Sequence, residues 1–409
     1  MNMKKILAEQ LKIISPSKDE ITYLSKTAKE FVASLKKAGV AAQIGGSLAK
    51  GTLIQKEGKQ DVDIFAVFNY SEDTLKLEKI LKKIKLPGKL KKVHGSRDYF
   101  QIDCDSVILE IIPVVKNKDP ELAENVTDVS LSHVKYISGE IKKNPEIANE
   151  IRLAKSFCVA NRCYGAEGYV QGFSGYSLEI LVIHFGGFIK FLKGIQKKKT
   201  IDPLKYFKNE KEILREINTS KLNSPLILID PTYKYRNVSA GLGSETFIKF
   251  IETANQFLKS PSLELFKKRE IDTEKMKILA TKNKAKFIEI NLTTDRQEGD
   301  IAGTKMKKLL NFFERELIRK QQQVLAKEFD YPGKQTAKGY LVIKEKPEIE
   351  LRGPPVGLEN AIENFKKANK HNVSTKKGYY WHTEKTNINK IFNSIKKVEK
   401  EMGASGKLV

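Results

Sequence analysis

Two aspartates separated by one valine, Asp61 and Asp63, stand in "DVDIFAVF", an otherwise apolar run. On a β-strand successive side chains point to opposite faces, so these carboxylates share one face while Val62 points the other way. An unpaired carboxylate on a buried strand face is costly, so a cation is expected beside them. Glu110, in "VILEIIPVV", is a third acid in an apolar run. If its strand neighbours Asp61–Phe68, the three acids converge; if the register slips, Asp103 or Asp105 supplies the third acid instead. Hard oxygen ligands of this kind suit Mg2+, held by a few carboxylates together with substrate phosphates. Two such ions would activate an attacking hydroxyl and neutralise charge on a leaving pyrophosphate.

Upstream, "GGSLAK" (45–50) offers the complementary half of that chemistry. Gly45 and Gly46 allow close backbone approach, and Ser47 sits where a short helix would begin. The backbone N–H groups there, with the serine hydroxyl, make a phosphate cradle that Lys50 can reach. A glycine–serine turn or an Asp-x-Asp pair alone is common. Gly-Gly-Ser, thirteen residues (48–60), Asp-hydrophobic-Asp, then an isolated acid before a proline form a more specific set.

The elements that must position these groups follow from periodicity. "SKDE" (17–20) reads as a capping box, and Ile21, Leu24, Ala28, Phe31, Val32 and Leu35 recur at helical spacing up to Gly39. A short strand through Ile44 precedes the glycines, and Val62–Phe68 is the next strand. Residues 72–84 read as a helix, and Tyr99–Asp103 with Val107–Val115 as a hairpin ending at Pro113. From 140 to 195 the pattern is helical, and "GYSLEILVIHFGGFIKFLKG" is apolar all round, as expected of one buried helix. "SPLILIDP" (224–231) is a strand and 244–259 a helix. "KFIEINL" (strand), a helix over 302–326 and "KGYLVIKE" (strand) suggest a small α/β module with a covered antiparallel sheet.

The chain has 409 residues, too many for one ordinary core, and its 74 Lys and Arg against 50 Asp and Glu give a net charge of +24. Such a field favours polyanions, nucleic acid before an anionic membrane, although a lysine-rich proteome would decorate every surface in the same way. No apolar run approaches membrane-spanning length, and the basic start acquires charge too soon for a signal peptide. Three cysteines, Cys104, Cys158 and Cys163, have no metal-ligand spacing, so a reduced, cytoplasmic setting is expected.

The order Gly-Gly-Ser, Asp-x-Asp, isolated acid resembles the nucleotidyltransferase superfamily that includes polymerase-β-like enzymes, poly(A) polymerases and CCA-adding enzymes. "RLAKSFCVANRCYGAEGYVQGFSGYSLEILVIHFGGF" (152–188), "DPTYKYRNVSAGL" (230–242), "FLKSPSLELF" (257–266) and "RGPPVGLE" (352–359) are similar to the archaeal-type, class I CCA-adding tRNA nucleotidyltransferases, collinearly from about residue 20 to 360. The resemblance implies an α+β multidomain chain. A polymerase-β-like nucleotidyltransferase head with a mixed sheet spans 1–138, a helical central nucleotide- and tRNA-binding domain 139–258, an α/β body domain 259–363 and a basic tail 364–409. It implies template-independent addition of CCA to the 3′ end of tRNA from CTP and ATP. The partners would be the tRNA acceptor end and elbow and no membrane; dimers occur in the family.

By motif, Asp61, Asp63 and Glu110 fall on the catalytic, Mg2+-binding carboxylates. Gly46, Ser47 and Lys50 fall on the triphosphate-binding turn, His133, Lys155 and Tyr164 on further nucleotide contacts, and Arg236 on the arginine that helps read the base. The chain departs from the pattern at four places. Lys50 stands where arginine is common, Glu110 where aspartate is usual, "DVSL" (128–131) where the family has DRTP, and "DPTYKYRN" where it has DPxDPRRN. These changes put fidelity in question more than the reaction. An altered-specificity relative, or an inert tRNA-binding protein on a transferase scaffold, are the competing readings.

Each residue also has a plain structural reading. His133 could be a packed or surface histidine, Lys155 a solvated helix lysine, Tyr164 a packing residue at a helix end. Arg236 stands in a tyrosine-rich loop and could stack on a ring or face a base edge. "KKGYYWHTEK" (376–385) is either a small apolar patch with solvated lysines or a surface that stacks on and neutralises RNA.

Overall fold

Alternation within two apolar runs builds the sheet that carries the acids. The computed structural model describes residues 2–117, 120, 123, 125–369 and 373–409. Helix α1 (Met3–Ile14) precedes α2 (Lys18–Lys37), whose first turn is capped by Ser17, its hydroxyl accepting from the Glu20 N–H. Strand β1 (Ala41–Ile44), helix α3 (Gly46–Lys50) and strand β2 (Gln60–Phe68) follow. Helix α4 (Leu77–Leu81) leads to β3 (Lys89–Val93), β4 (Tyr99–Asp103) and β5 (Val107–Val115). The five strands form one mixed sheet in the order β1-β2-β5-β4-β3. Strands β2 and β5 are parallel and central, and β4 and β5 form the expected hairpin. Val62, Ile64, Ala66, Leu109 and Ile111 pack with Leu24, Phe31 and Leu35 of α2 into one core, so the acids are left on the opposite face.

β5 spans Val107–Val115, the range expected, with Pro113 inside it. A strand residue's N–H and C=O point to the same side, and on Pro113 that side lies beyond the last β4 pair, Phe100–Ile111. No ladder bond is therefore lost, and Arg97 Nη1 donates to the Pro113 carbonyl instead. The helix expected over 72–84 is a 3-10 turn, Glu72–Lys76, followed by α4 alone, because the exposed Lys82 and Lys83 offer no apolar side to extend it.

A second core is helical. It contains α5 (Ser130–Lys143), α6 (Ile147–Ala160), α7 (Gly175–Phe185) and α8 (Phe188–Gly194). Strand β6 (Thr200–Ile201), helix α9 (Glu210–Glu216), strands β7 (Ile227–Asp230) and β8 (Tyr233–Asn237) and helix α10 (Ser244–Lys259) complete it. Phe157 sits at its centre, with the rings of Phe188, Phe250, Phe257 and Phe266 at 5.6, 6.3, 5.7 and 5.5 Å. Helix α1 joins this core through Ile6 and Ile14, and Gln10 Nε2 donates to Ser156 Oγ. The expected single helix over "GYSLEILVIHFGGFIKFLKG" is two. Gly186 (φ 74°) and Gly187 (φ 132°) adopt conformations that side chains resist, ending α7 and starting α8, whose Phe188 N–H is capped by Glu150 Oε2.

The described chain clusters into two compact units, residues 1–166 with 170–269, and 167–169 with 270–409. Both cores above belong to the first. The second begins with α11 (Thr273–Lys282), β9 (Lys286–Thr293), α12 (Asp300–Arg319), β10 (Gln323–Asp330) and β11 (Thr336–Lys344). It continues through β12 (Glu348–Pro355), α13 (Glu359–Ala368), β13 (Val373–Lys376), β14 (Tyr379–Lys385), α14 (Ile388–Ile395), α15 (Glu399–Met402) and β15 (Ser405–Leu408). The antiparallel sheet β10-β11-β9-β15 is covered, as expected, by Met306, Leu310 and Phe313 of α12 and by Met276 and Ala280 of α11. The helix expected to reach 326 ends at Arg319; Gln321 turns at φ 55° and the following residues pair with β11. Residues 376–385 lie in the β13–β14 hairpin (373–385), whose β14 pairs with β12.

Phe157→Ala should lower the stability of the first unit by about 3–5 kcal/mol, because a ring cage cannot collapse onto an alanine. Urea unfolding followed by near-UV circular dichroism measures this; an unchanged midpoint would place the core elsewhere.

Candidate active site

The parallel register of β2 and β5 sets Asp63 opposite Glu110, and Asp61 lies on the same face two residues away. On the far side Gln101 of β4 pairs with Glu110 and its Nε2 donates to Glu110 Oε1 at 2.8 Å. Burial, then the charge of Asp63, pushes the Glu110 carboxyl up to about 7. Asp63 is also raised by burial, against the pull of Lys50. Asp61 is half-exposed and ion-paired with Lys56. Asp103 is exposed and paired with Lys59, and Asp105 is exposed, so the acid facing Asp63 is Glu110.

Gly46 explains the glycine pair. Its φ is 58°, and a Cβ there would lie 1.6 Å from Asp63 Oδ2, so the carboxylate rests directly on this backbone. Ser47 follows in α3, immediately after Gly46. Two partly buried acids with raised pKa values, beside a third on the same face, fit a divalent cation, which would relieve their mutual repulsion. Among the described residues no three such side chains enclose an ion by themselves.

The two lysines meet on a residue that sequence reasoning missed. Glu179 of α7 is fully buried; its Oε2 pairs with Lys50 Nζ and its Oε1 with Lys155 Nζ, both at 2.7 Å. Thr52 Oγ1 donates to Glu179 Oε1 and accepts from Lys155 at 2.8 Å. Burial alone would raise the Glu179 carboxyl, but Lys155 and Lys50 outweigh it and hold it down at about 2. Lys155 is thus buried, not solvated. Tyr164 bridges to Phe173, and its hydroxyl would touch a Cβ on Gly175, near Lys155 Cε. Tyr164, Lys155 and Lys50 therefore belong to one neighbourhood.

His133 and Arg236 form a second cluster around another missed acid. His133 Nε2 is 3.1 Å from Asp230 Oδ2, Arg236 Nη1 is 2.8 Å from the same oxygen, and the two nitrogens are 3.0 Å apart. Tyr176 stacks on the His133 ring at 3.8 Å and donates its hydroxyl to Asp230 Oδ1. Burial lowers the His133 pKa against the pull of Asp230, so the imidazole is neutral at pH 7. The charge of Lys50 acts on both His133 and Asp63, which makes the two clusters neighbours. "DVSL" also has a structural role: buried Asp128 accepts from Arg97 and from the Val115 N–H, joining the end of β5 to the start of α5. A lone acid in an all-round apolar helix (Glu179) and an acid closing "LILID" (Asp230) were the available sequence signals.

Residues 149–267 match the family model described as tRNA nucleotidyltransferase, second domain. The CCA-adding enzyme of Nanoarchaeum equitans is 36% identical over 377 residues, covering 88% of this chain and 87% of that one. The chain belongs to the archaeal CCA-adding enzymes. The CCA-adding enzyme of Methanocaldococcus jannaschii is 28% identical over 389 residues, covering 90% of this chain and 84% of that one. A solved cytoplasmic RNA terminal U-transferase aligns with a TM-score of 0.52 at 13% identity, covering 66% of this chain and 99% of that one. A Cid1 structure aligns with a TM-score of 0.51, also at 13% identity, over 66% of this chain and 99% of that one. The chain thus has the polymerase-β-like nucleotidyltransferase fold. Among its described residues no helix is long and apolar enough to cross a membrane.

Glu179 yields a prediction with a definite sign. Its folded pKa, about 2, lies below the ordinary 4.5, so its contribution to stability is complete above 4.5 and is lost as pH falls toward 2. Glu179→Gln should cost roughly 3–5 kcal/mol near neutral pH by leaving two ammoniums uncompensated, and should flatten the acid limb of stability against pH. Parallel curves for variant and parent would remove Glu179 from this role.

Proposed function

We propose that this chain extends the 3′ end of tRNA with cytidine, cytidine and adenosine from CTP and ATP, without a template and with release of pyrophosphate. The observation that carries the site is the β2–β5 register, which sets Asp63 against Glu110 and beside Asp61, on the Gly46 backbone. Asp61, Asp63 and Glu110 are the residues that would hold Mg2+. A bound divalent cation there supplies charge neutralisation and a more acidic attacking hydroxyl.

Glu110, aimed by Gln101, faces the terminal ribose of the tRNA. The 3′ hydroxyl gives up its proton to solvent water and its oxygen bonds to the α-phosphorus, the bond from that phosphorus to the bridging oxygen breaks, and pyrophosphate departs toward Gly46, Ser47 and Lys50. Lys155 and Tyr164 border the triphosphate, while His133 and Arg236 meet the base. Positioning and electrostatics dominate phosphoryl transfer, so no protein nucleophile is needed. The division of labour read from the sequence goes with this reading: a catalytic head (1–138), a central nucleotide and tRNA domain (139–258), a body (259–363) and a basic tail (364–409). The last regions would track the tRNA toward its elbow in the cytoplasm.

Labelled tRNA transcripts lacking CCA, ending in CC, or complete should each grow only to CCA with Mg2+, CTP and ATP. Asp61→Ala should abolish growth while leaving tRNA binding intact; equal growth would remove the mechanism. Adenosine addition alone, or unlimited tailing, would establish an altered specificity instead. With a net charge of +24, tRNA affinity should fall steeply and log-linearly with salt as counterions are released. A flat titration would contradict a phosphate-tracking surface.

A further inference from the structure

We propose that Asp230 is the positioning residue for base selection, fixing both the aim of Arg236 and the tautomer of His133; this rests on the reading that these two residues meet the incoming base. Asp230 closes β7 and is fully buried. Its Oδ1 accepts from the Tyr176 hydroxyl at 2.9 Å and from the Thr232 N–H and hydroxyl at 2.8 Å each. Those three donors immobilise the carboxylate and leave Oδ2 for Arg236 Nη1 and His133 Nε2. Burial opposes its charge, but the bond from His133 and the charge of Arg236 outweigh burial and hold Asp230 well below the usual carboxylate range.

An ionised Oδ2 accepts and cannot donate, so it favours the His133 tautomer with the proton on Nε2. Nδ1 then carries a lone pair, and Tyr176 stacked on the ring holds its plane. Arg236 commits Nη1 to Asp230; its Nε and Nη2 donors bond no other described residue, and the side chain keeps 24% exposure. Asp230 thus prepares an open guanidinium edge of donors. Cytosine and adenine both carry an unprotonated ring nitrogen on their pairing edge. Uracil and guanine carry a ring N–H there instead. A donor edge held in one orientation accepts the first two bases and rejects the others. Phosphate contacts carry no such information, so Lys50 and Lys155 cannot supply this selection.

The test is steady-state incorporation by the full-length chain into tRNA lacking CCA, with CTP and UTP compared as kcat/KM. Asp230→Asn should lower the CTP-to-UTP ratio by about ten- to a hundredfold, the worth of one good base-reading pair. In an Arg236→Ala background the same substitution should leave the ratio nearly unmoved, since its effect runs largely through Arg236. Tyr176→Phe, which keeps the stacked ring and deletes one donor to Asp230, should shift the ratio in the same direction by a smaller factor. The proposal is overturned if Asp230→Asn lowers both substrates by one factor, or if its effect on the ratio is as large without Arg236. Should Asp230→Asn fail to fold, an unchanged ratio in Tyr176→Phe overturns it. A parent enzyme that incorporates no CTP would instead sink the proposed activity itself, which the same gels reveal.

Discussion

Opposed carboxylates on two parallel strands are the constraint around which the first unit is organised. Asp63 and Glu110 face each other across β2 and β5, and partial burial with repulsion among the acids raises both carboxyls. A one-residue slip of β5 against β2 would turn Glu110 into the core and expose Leu109, so the apolar face fixes the register that brings the acids together. The repulsion is not relieved within the protein: Gln101 orients Glu110, Lys56 holds Asp61, and Lys50 acts on Asp63 only at a distance. On the proposed function, a divalent ion bound with a triphosphate would relieve this repulsion.

The second principle is the inverse of the first. Side chains beside the acids are organised by buried anions: Glu179 collects the Lys50 and Lys155 ammoniums, and Asp230 collects the Arg236 guanidinium and the His133 imidazole. Lys50–Glu179 joins α3 of the first core to α7 of the second, and His133–Asp230 ties α5 to β7 within the second. Preorganised charge of this kind needs no rearrangement at the moment of reaction.

What the sequence made legible was local. Helical spacing placed α2 and its Ser17 cap, and alternation put Asp61 and Asp63 on one face. Glu110 was readable once β5 was assumed to neighbour β2. The glycine break at 186–187 was hidden because the residues on both sides are apolar, and the helix after Arg319 was overextended because helix-forming residues continue into β10. Glu179 and Asp230 escaped because their partners Lys50 and His133 lie 129 and 97 residues away. Arg97 pairs with Asp128 across 31 residues for the same reason. Periodicity reports which face a residue occupies; it does not report which distant charge meets it there.

Mn2+ binding to the metal-free protein, followed by electron paramagnetic resonance with and without CTP, tests the central claim most directly. The account predicts weak binding to the protein alone, tightening markedly when CTP is added, and loss of that tightening in Asp63→Asn. Equal Mn2+ affinity with and without CTP, or unchanged binding in the variant, would contradict a cation site shared between buried carboxylates and a triphosphate.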